Sequence, residues 1–166
     1  AVVTDPEAQL KKIVWHPNML PAFVILDPEL TVGLPAGLTA ATGMDALSHN
    51  MEALCAPVFH PMAEGIALQG MRLVKDNLLT AVEQGDDLVA RTNMLVASSM
   101  GATAFQRGLG GMHALSHSLG AVFDAHHGLL NAILMPYVLK ANEAAITDTM
   151  QMVAASLGLP GSGFTA

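Results

Sequence analysis

Thr39-Ala40-Ala41-Thr42-Gly43-Met44-Asp45-Ala46-Leu47-Ser48-His49 opens the part of the chain whose pattern decides the fold. Thr39 reads as an N-cap, and the helix behind it carries Asp45, His49, Glu52 and Leu54 and ends before Pro57. Toward the C-terminus the helical signal keeps returning. His60-Pro61 places a proline in a first turn, and Ile66, Leu68, Met71, Leu73, Val74 and Leu78 recur at roughly helical spacing within residues 63–82, before Gly85. Asp86-Asp87 start a third helix, which carries Leu88, Leu95, Val96 and Met100 to about Phe105. Gly108-Leu109-Gly110-Gly111 is a flexible break. Three more helices are predicted beyond it, over residues 112–123, 128–142 and 146–157, the last ending before Pro160-Gly161. The pattern predicts a mainly α fold, a helical bundle with short connections and a short N-terminal β segment.

That β segment lies in the first thirty residues. Val2-Val3-Thr4, the turn formers Asp5-Pro6-Glu7, and Leu10 to Trp15 read as a short hairpin-like pair of strands. Ala22-Phe23-Val24-Ile25-Leu26, bounded by Pro21 and Asp27-Pro28, is the uninterrupted apolar run of a strand buried on both faces. Such a strand needs neighbours, and two short ones are poor company.

Composition narrows the function classes. The 166 residues suit one domain, with 52 % hydrophobic residues and 13 % charged, against about 25 % charged in an average globular protein. Disorder is excluded, because it needs low hydrophobicity and dense charge. A net charge of −7, with seven Lys and Arg and Lys11-Lys12 their sole adjacent pair, argues against nucleic acid, whose phosphates need clustered cations. The lone Cys55 cannot close an internal disulfide, which suits a reducing compartment, here the cytoplasm. No uncharged apolar run reaches the length of about 18 residues that a membrane span needs. So much apolar sequence with so little charge suggests a face that another chain or segment covers.

Chemistry is concentrated in the seven histidines. Asp45 and His49 stand four apart and share a helix face, His113 and His117 repeat that spacing, and His126-His127 follows where another helix begins. One carboxylate with several imidazoles is a donor set for a first-row divalent metal. A solvated Asp/His helix pair has the same spacing, so spacing alone leaves both readings open. Two things favour the metal: the small, uncharged surroundings, and the cost of burying imidazoles without partners. His16 and His60 each precede proline and read as structural turn residues.

Rival motifs fail on context. No His-Glu-x-x-His or Glu-x-x-His is present. Ser116-His117-Ser118-Leu119-Gly120 lacks the first glycine of a nucleophile elbow and follows helical rather than strand sequence. Cys55 has no basic neighbour close in sequence and reads as a packed thiol. Neither a dinucleotide fingerprint nor a P-loop occurs.

Two long motifs carry a family resemblance. Asp27-Pro28-Glu29-Leu30-Thr31, Leu34-Pro35 and residues 39–49 form one, and Gly111-Met112-His113-Ala114-Leu115-Ser116-His117-Ser118-Leu119-Gly120 with His127-Gly128 and Asn131-Ala132 the other. In this order they resemble the iron-containing (group III) alcohol dehydrogenases, over residues 1 to about 158. The resemblance implies Asp45, His49, His113 and His127 as ligands of Fe2+, or of Zn2+. It implies His117 as the residue near the nicotinamide and substrate, with His126 only a neighbour. The implied chemistry is hydride transfer between an alcohol or aldehyde substrate and NAD(P), the metal polarising the substrate oxygen.

The resemblance also sets an expectation about the unit. Residues 1–30 correspond to the tail of an N-terminal α/β dinucleotide-binding domain, and residues 31–166 to a helical metal-binding domain that stops early. The N-terminal domain is then a missing partner and the chain an inactive fragment, with a homo-oligomer as a further partner. The competing expectation is a non-catalytic helical module that binds metal or a partner chain through an exposed apolar face.

Overall fold

The computed structural model describes residues 2–5, 7–8, 10–14, 16–161 and 163–165. Strands β1 (Val2–Asp5) and β2 (Leu10–Ile13) pair antiparallel, with Val2 opposite Ile13 and Asp5 opposite Leu10. Asp5 shapes the turn: its Oδ1 accepts from the backbone N–H of Glu7 and Ala8 at 3.1 and 3.0 Å, and its Oδ2 pairs with Lys12 Nζ at 2.5 Å. Pro6 and Trp15, which the sequence reading places in the turn and the second strand, lie outside the described residues.

The strand expected over residues 22–26 does not form. That segment carries no regular structure, and Phe23 and Ile25 are 90 % and 88 % exposed. An apolar run becomes a buried strand only where neighbouring strands take its backbone hydrogen bonds, and the sheet here has two strands, β1 and β2. Further on, a 3-10 turn over Pro28–Thr31 is capped by Asp27, whose Oδ1 accepts from Glu29 N at 3.0 Å.

Six helices follow. They are α1 (Ala36–Cys55), α2 (Pro61–Glu83), α3 (Leu88–Ala104), α4 (Gly111–Phe123), α5 (His127–Ala141) and α6 (Glu143–Leu157). The start of α1 corrects the sequence reading. Thr39 already donates its N–H to Pro35 O at 2.9 Å, so it lies inside the helix and Pro35 holds the cap position. The other starts follow local chemistry. His60 Nδ1 accepts from Ala63 N, Asp87 Oδ1 from Ala90 N, and His126 Nδ1 from Leu129 N. Helix α6 ends at Gly158, whose φ of 62° is left-handed, and Leu159 N returns to Ala154 O at 2.9 Å.

Helix α1 runs through the centre and packs against α2, α3 and α5. The main core joins Met51, Leu54, Ala67, Met71, Met112 and Val153. Small and flexible apolar residues dominate it, so the helices approach closely and methionines fill irregular gaps. Arg107, in the turn after α3, reaches Ala56 O at 2.8 Å, Val58 O, and Glu64 Oε1 at 3.2 Å, which ties down the α1–α2 connection. Among the described residues no helix is long and apolar enough to cross a membrane.

Candidate metal centre

Three helices converge on one point. Asp45, His49 and Glu52 fall at i, i+4 and i+7 on α1 and so share a face. Helix α4 brings His113, Ser116 and His117, and α5 brings His127 and Asn131. Gly128 permits this convergence. A Cβ there would lie 2.2 Å from Ala41 O and 3.2 Å from Asp45 Cβ, so only glycine lets the first turn of α5 rest directly on α1.

One ligand atom from each of Asp45, His113 and His127 falls within 4.8 Å of the others. Asp45 Oδ1 stands 3.7 Å from His113 Nε2 and 3.6 Å from His127 Nε2. His49 is beside the group rather than in it. Its ring stacks on His113 (centroids 4.7 Å apart, planes 17° apart) and tilts against Phe105 at 5.2 Å. His117 faces His127 at 4.9 Å and meets His113 edge-on at 5.8 Å. His126 turns away to cap α5, and His16 and His60 cap their own turns, as their place before proline suggests.

The outer partners fix the tautomers. His113 Nδ1 lies 2.6 Å from Glu52 Oε2, and an ionised carboxylate only accepts, so Nδ1 keeps its proton and Nε2, the nitrogen left to titrate or ligate, faces the centre. Ser116 Oγ lies 3.3 Å from His113 O and 3.3 Å from His127 Nδ1. Donating to the carbonyl, the hydroxyl accepts from His127 Nδ1–H and turns that Nε2 inward as well. Glu52 also takes Met112 N–H at 2.7 Å, so one buried carboxylate from α1 caps α4 and aims its histidine. Gly110 makes room for it, since a Cβ there would sit 2.9 Å from Glu52 Oε1.

Sequence reasoning assigned no site role to Glu52, Ser116 or Asn131. Glu52 carried a signal, being one helical turn beyond His49 on the Asp45 face. The other two stand in the second motif but no spacing marks them, because their roles exist only once α4 and α5 bring their side chains to α1.

The charges suit a cation. Burial resists ionisation of Asp45, but His113, His49 and Asn131 outweigh it and hold the carboxyl well below its usual range. Burial likewise opposes protonation of His113, yet Asp45 and Glu52 together lift its pKa to about 9. His127 goes the other way, pushed down to about 4 by burial and by the positive charges of His113, His117 and Lys11. Burial and His113 also lower His117. Asp45 thus faces the point as a carboxylate, with the second carboxylate, Glu52, behind His113; an arriving cation displaces the Nε2 proton of His113 and takes the free Nε2 lone pair of His127. That donor set, oxygen and nitrogen without sulfur, fits Fe2+ or Zn2+.

Comparison with known proteins agrees with this architecture. Residues 39–165 match the model of the Fe-containing alcohol dehydrogenase family, C-terminal. The chain is 48 % identical over 151 residues to 4-hydroxybutyrate dehydrogenase from Cupriavidus necator, covering 88 % of this chain and 39 % of that protein. It is 42 % identical over 166 residues to NAD-dependent methanol dehydrogenase from Bacillus methanolicus, covering 99 % and 44 %. The solved structure of a 1,3-propanediol oxidoreductase superposes with a TM-score of 0.89 at 40 % identity, over 95 % of this chain and 41 % of that one. The chain belongs to the Fe-containing alcohol dehydrogenase family and carries its C-terminal helical domain. It spans about two fifths of the length of these relatives.

Proposed function

We propose that this chain is the metal-binding helical part of an NAD(P)-dependent alcohol dehydrogenase that interconverts an alcohol and an aldehyde or ketone. The observation that supports the reading best is the convergence of Asp45 Oδ1, His113 Nε2 and His127 Nε2 on one point, with Glu52 and Ser116 holding both imidazoles in the ligating tautomer. Asp45, His113 and His127 would hold Fe2+ or Zn2+, with His49, which stacks on His113 in this structure, as the fourth ligand once its ring turns toward the group. The bound ion supplies Lewis acidity toward the substrate oxygen.

The chain's own residues set the rest. Asp45 brings the negative charge, and Glu52 keeps His113 Nε2 directed inward. The side chains of Asp45 and His127 are 22 % and 26 % exposed while His113 is 4 % exposed, so substrate approaches from the Asp45–His127 side. His117 borders that side and its lowered pKa keeps it neutral near pH 7, able to take a proton from the substrate hydroxyl. We assign it the role of proton relay next to the nicotinamide.

In the whole protein residues 1–30 belong to the cofactor-binding α/β domain and residues 31–166 to the helical one. The exposure of Phe23 and Ile25 supports a covering domain there. The same exposure favours the second reading, a helical module that meets a partner chain through this apolar face. The lone Cys55, which cannot close an internal disulfide, suits a reducing compartment, and we place the dehydrogenase in the cytoplasm. The test is reconstitution: the chain takes up one Fe2+ or Zn2+ and alone turns over no alcohol with NAD, because hydride transfer needs a positioned cofactor. In the whole enzyme His117→Ala lowers turnover and alters its pH profile, and an unchanged profile removes the relay.

A further inference from the structure

The fully buried Asn131 places its amide nitrogen within hydrogen-bond distance of all three donor atoms of the centre, and the two hydrogens of that nitrogen are shared among them. Its Nδ2 lies 2.7 Å from Asp45 Oδ1, 3.2 Å from His113 Nε2 and 3.2 Å from His127 Nε2. Its Oδ1 is buried and finds no hydrogen-bond partner among the described residues. A buried amide with one end unsatisfied is costly, and the position of its other end explains why it is there.

We infer that Asn131 is the positioning residue of the centre, acting through Asp45. The inference rests on the metal reading above. An imidazole Nε2 has a single in-plane lone pair, so the contacts to His113 and His127 yield when a cation takes those lone pairs. Asp45 differs. A carboxylate oxygen has two lone pairs, so the 2.7 Å bond to Oδ1 persists and fixes the carboxylate's orientation. Before the ion arrives Asn131 keeps the three donors converged, and afterwards it holds the one anionic ligand in place. Its location serves both ends. Asn131 is one helical turn beyond His127 on α5, and Gly128 between them sits directly on α1.

The test is a double-mutant cycle on Zn2+ affinity in the chain, read by competition with a chromophoric chelator. Asn131→Ala weakens binding roughly 10- to 100-fold. In an Asp45→Ala background the same substitution changes affinity far less, because the group it acts through is gone. A packing role alone would lower stability equally in both backgrounds and leave the affinities unmoved. Unchanged affinity in Asn131→Ala, or an equal loss in both backgrounds, overturns the inference while the centre stands. No saturable Zn2+ binding by the wild-type chain overturns both. Should Asn131→Ala not fold, asparagine-selective 15N labelling of the wild-type chain decides. The Asn131 side-chain amide signals shift with Zn2+ at one equivalent, while those of Asn93, bonded to Asn77 between α2 and α3, stay fixed. Unmoved Asn131 signals at saturation refute it.

Discussion

Glu52 Oε2 lies 2.6 Å from His113 Nδ1, while Oε1 of the same carboxylate accepts the N–H of Met112 at 2.7 Å. One side chain from α1 thereby caps α4 and aims its first histidine. Burial resists the charge on Glu52, yet His113 and the amides of Gly110 and Met112 outweigh it and keep the group ionised. Glu52→Gln removes that charge and leaves the His113 tautomer unfixed. Zn2+ affinity is expected to fall about 10-fold or more, and an affinity equal to wild type in a chelator competition would show that Glu52 serves only as a cap.

Gly128 gives a steric prediction. A methyl group there meets Ala41 O at 2.2 Å, a backbone atom that cannot rotate away. Gly128→Ala is expected to destabilise the chain by about 1–3 kcal/mol and to weaken metal binding, because α5 must lift from α1 and carry His127 with it. Gly65, in the second turn of α2 with open space around it, is the control. Gly65→Ala is expected to stabilise by about 0.5–1 kcal/mol. Urea unfolding of the two variants measures both, and equal midpoints would contradict the packing described.

Cys55 is expected to be a slow nucleophile. Burial pushes its thiol up to about 11, with the Glu52 charge adding to the effect. At pH 8 the thiolate fraction is then about one in a thousand, against roughly a quarter for an ordinary thiol. Iodoacetamide should label native protein far more slowly than protein in denaturant. The native rate keeps climbing about tenfold per pH unit until pH approaches 11 instead of levelling off near 8.5, and fast labelling at pH 8 would place Cys55 outside the core.

The bundle was legible because helix signals are local. The His60-Pro61 and Asp86-Asp87 starts and the Gly108–Gly111 break fall within a residue or two of the observed boundaries. The apolar run 22–26 misled because hydrophobicity demands cover without saying what provides it. In the site, i, i+4 spacing drew out the pairs Asp45/His49 and His113/His117, and a helix start drew out His126-His127; of these the fold brings Asp45, His113 and His127 together. Spacing alone could not show that His49 would stack on His113 instead of reaching the group. Nor could it reveal Asn131 and Ser116, ordinary polar residues whose partners lie on other helices.

The most direct test of the central claim is calorimetric titration of the chain with Zn2+, repeated anaerobically with Fe2+. Binding at one ion per chain, weakened at least 100-fold by Asp45→Ala and by His113→Ala in folded variants, is the predicted result. Saturable binding that both substitutions leave intact, or no saturable binding by the folded wild-type chain, would contradict it.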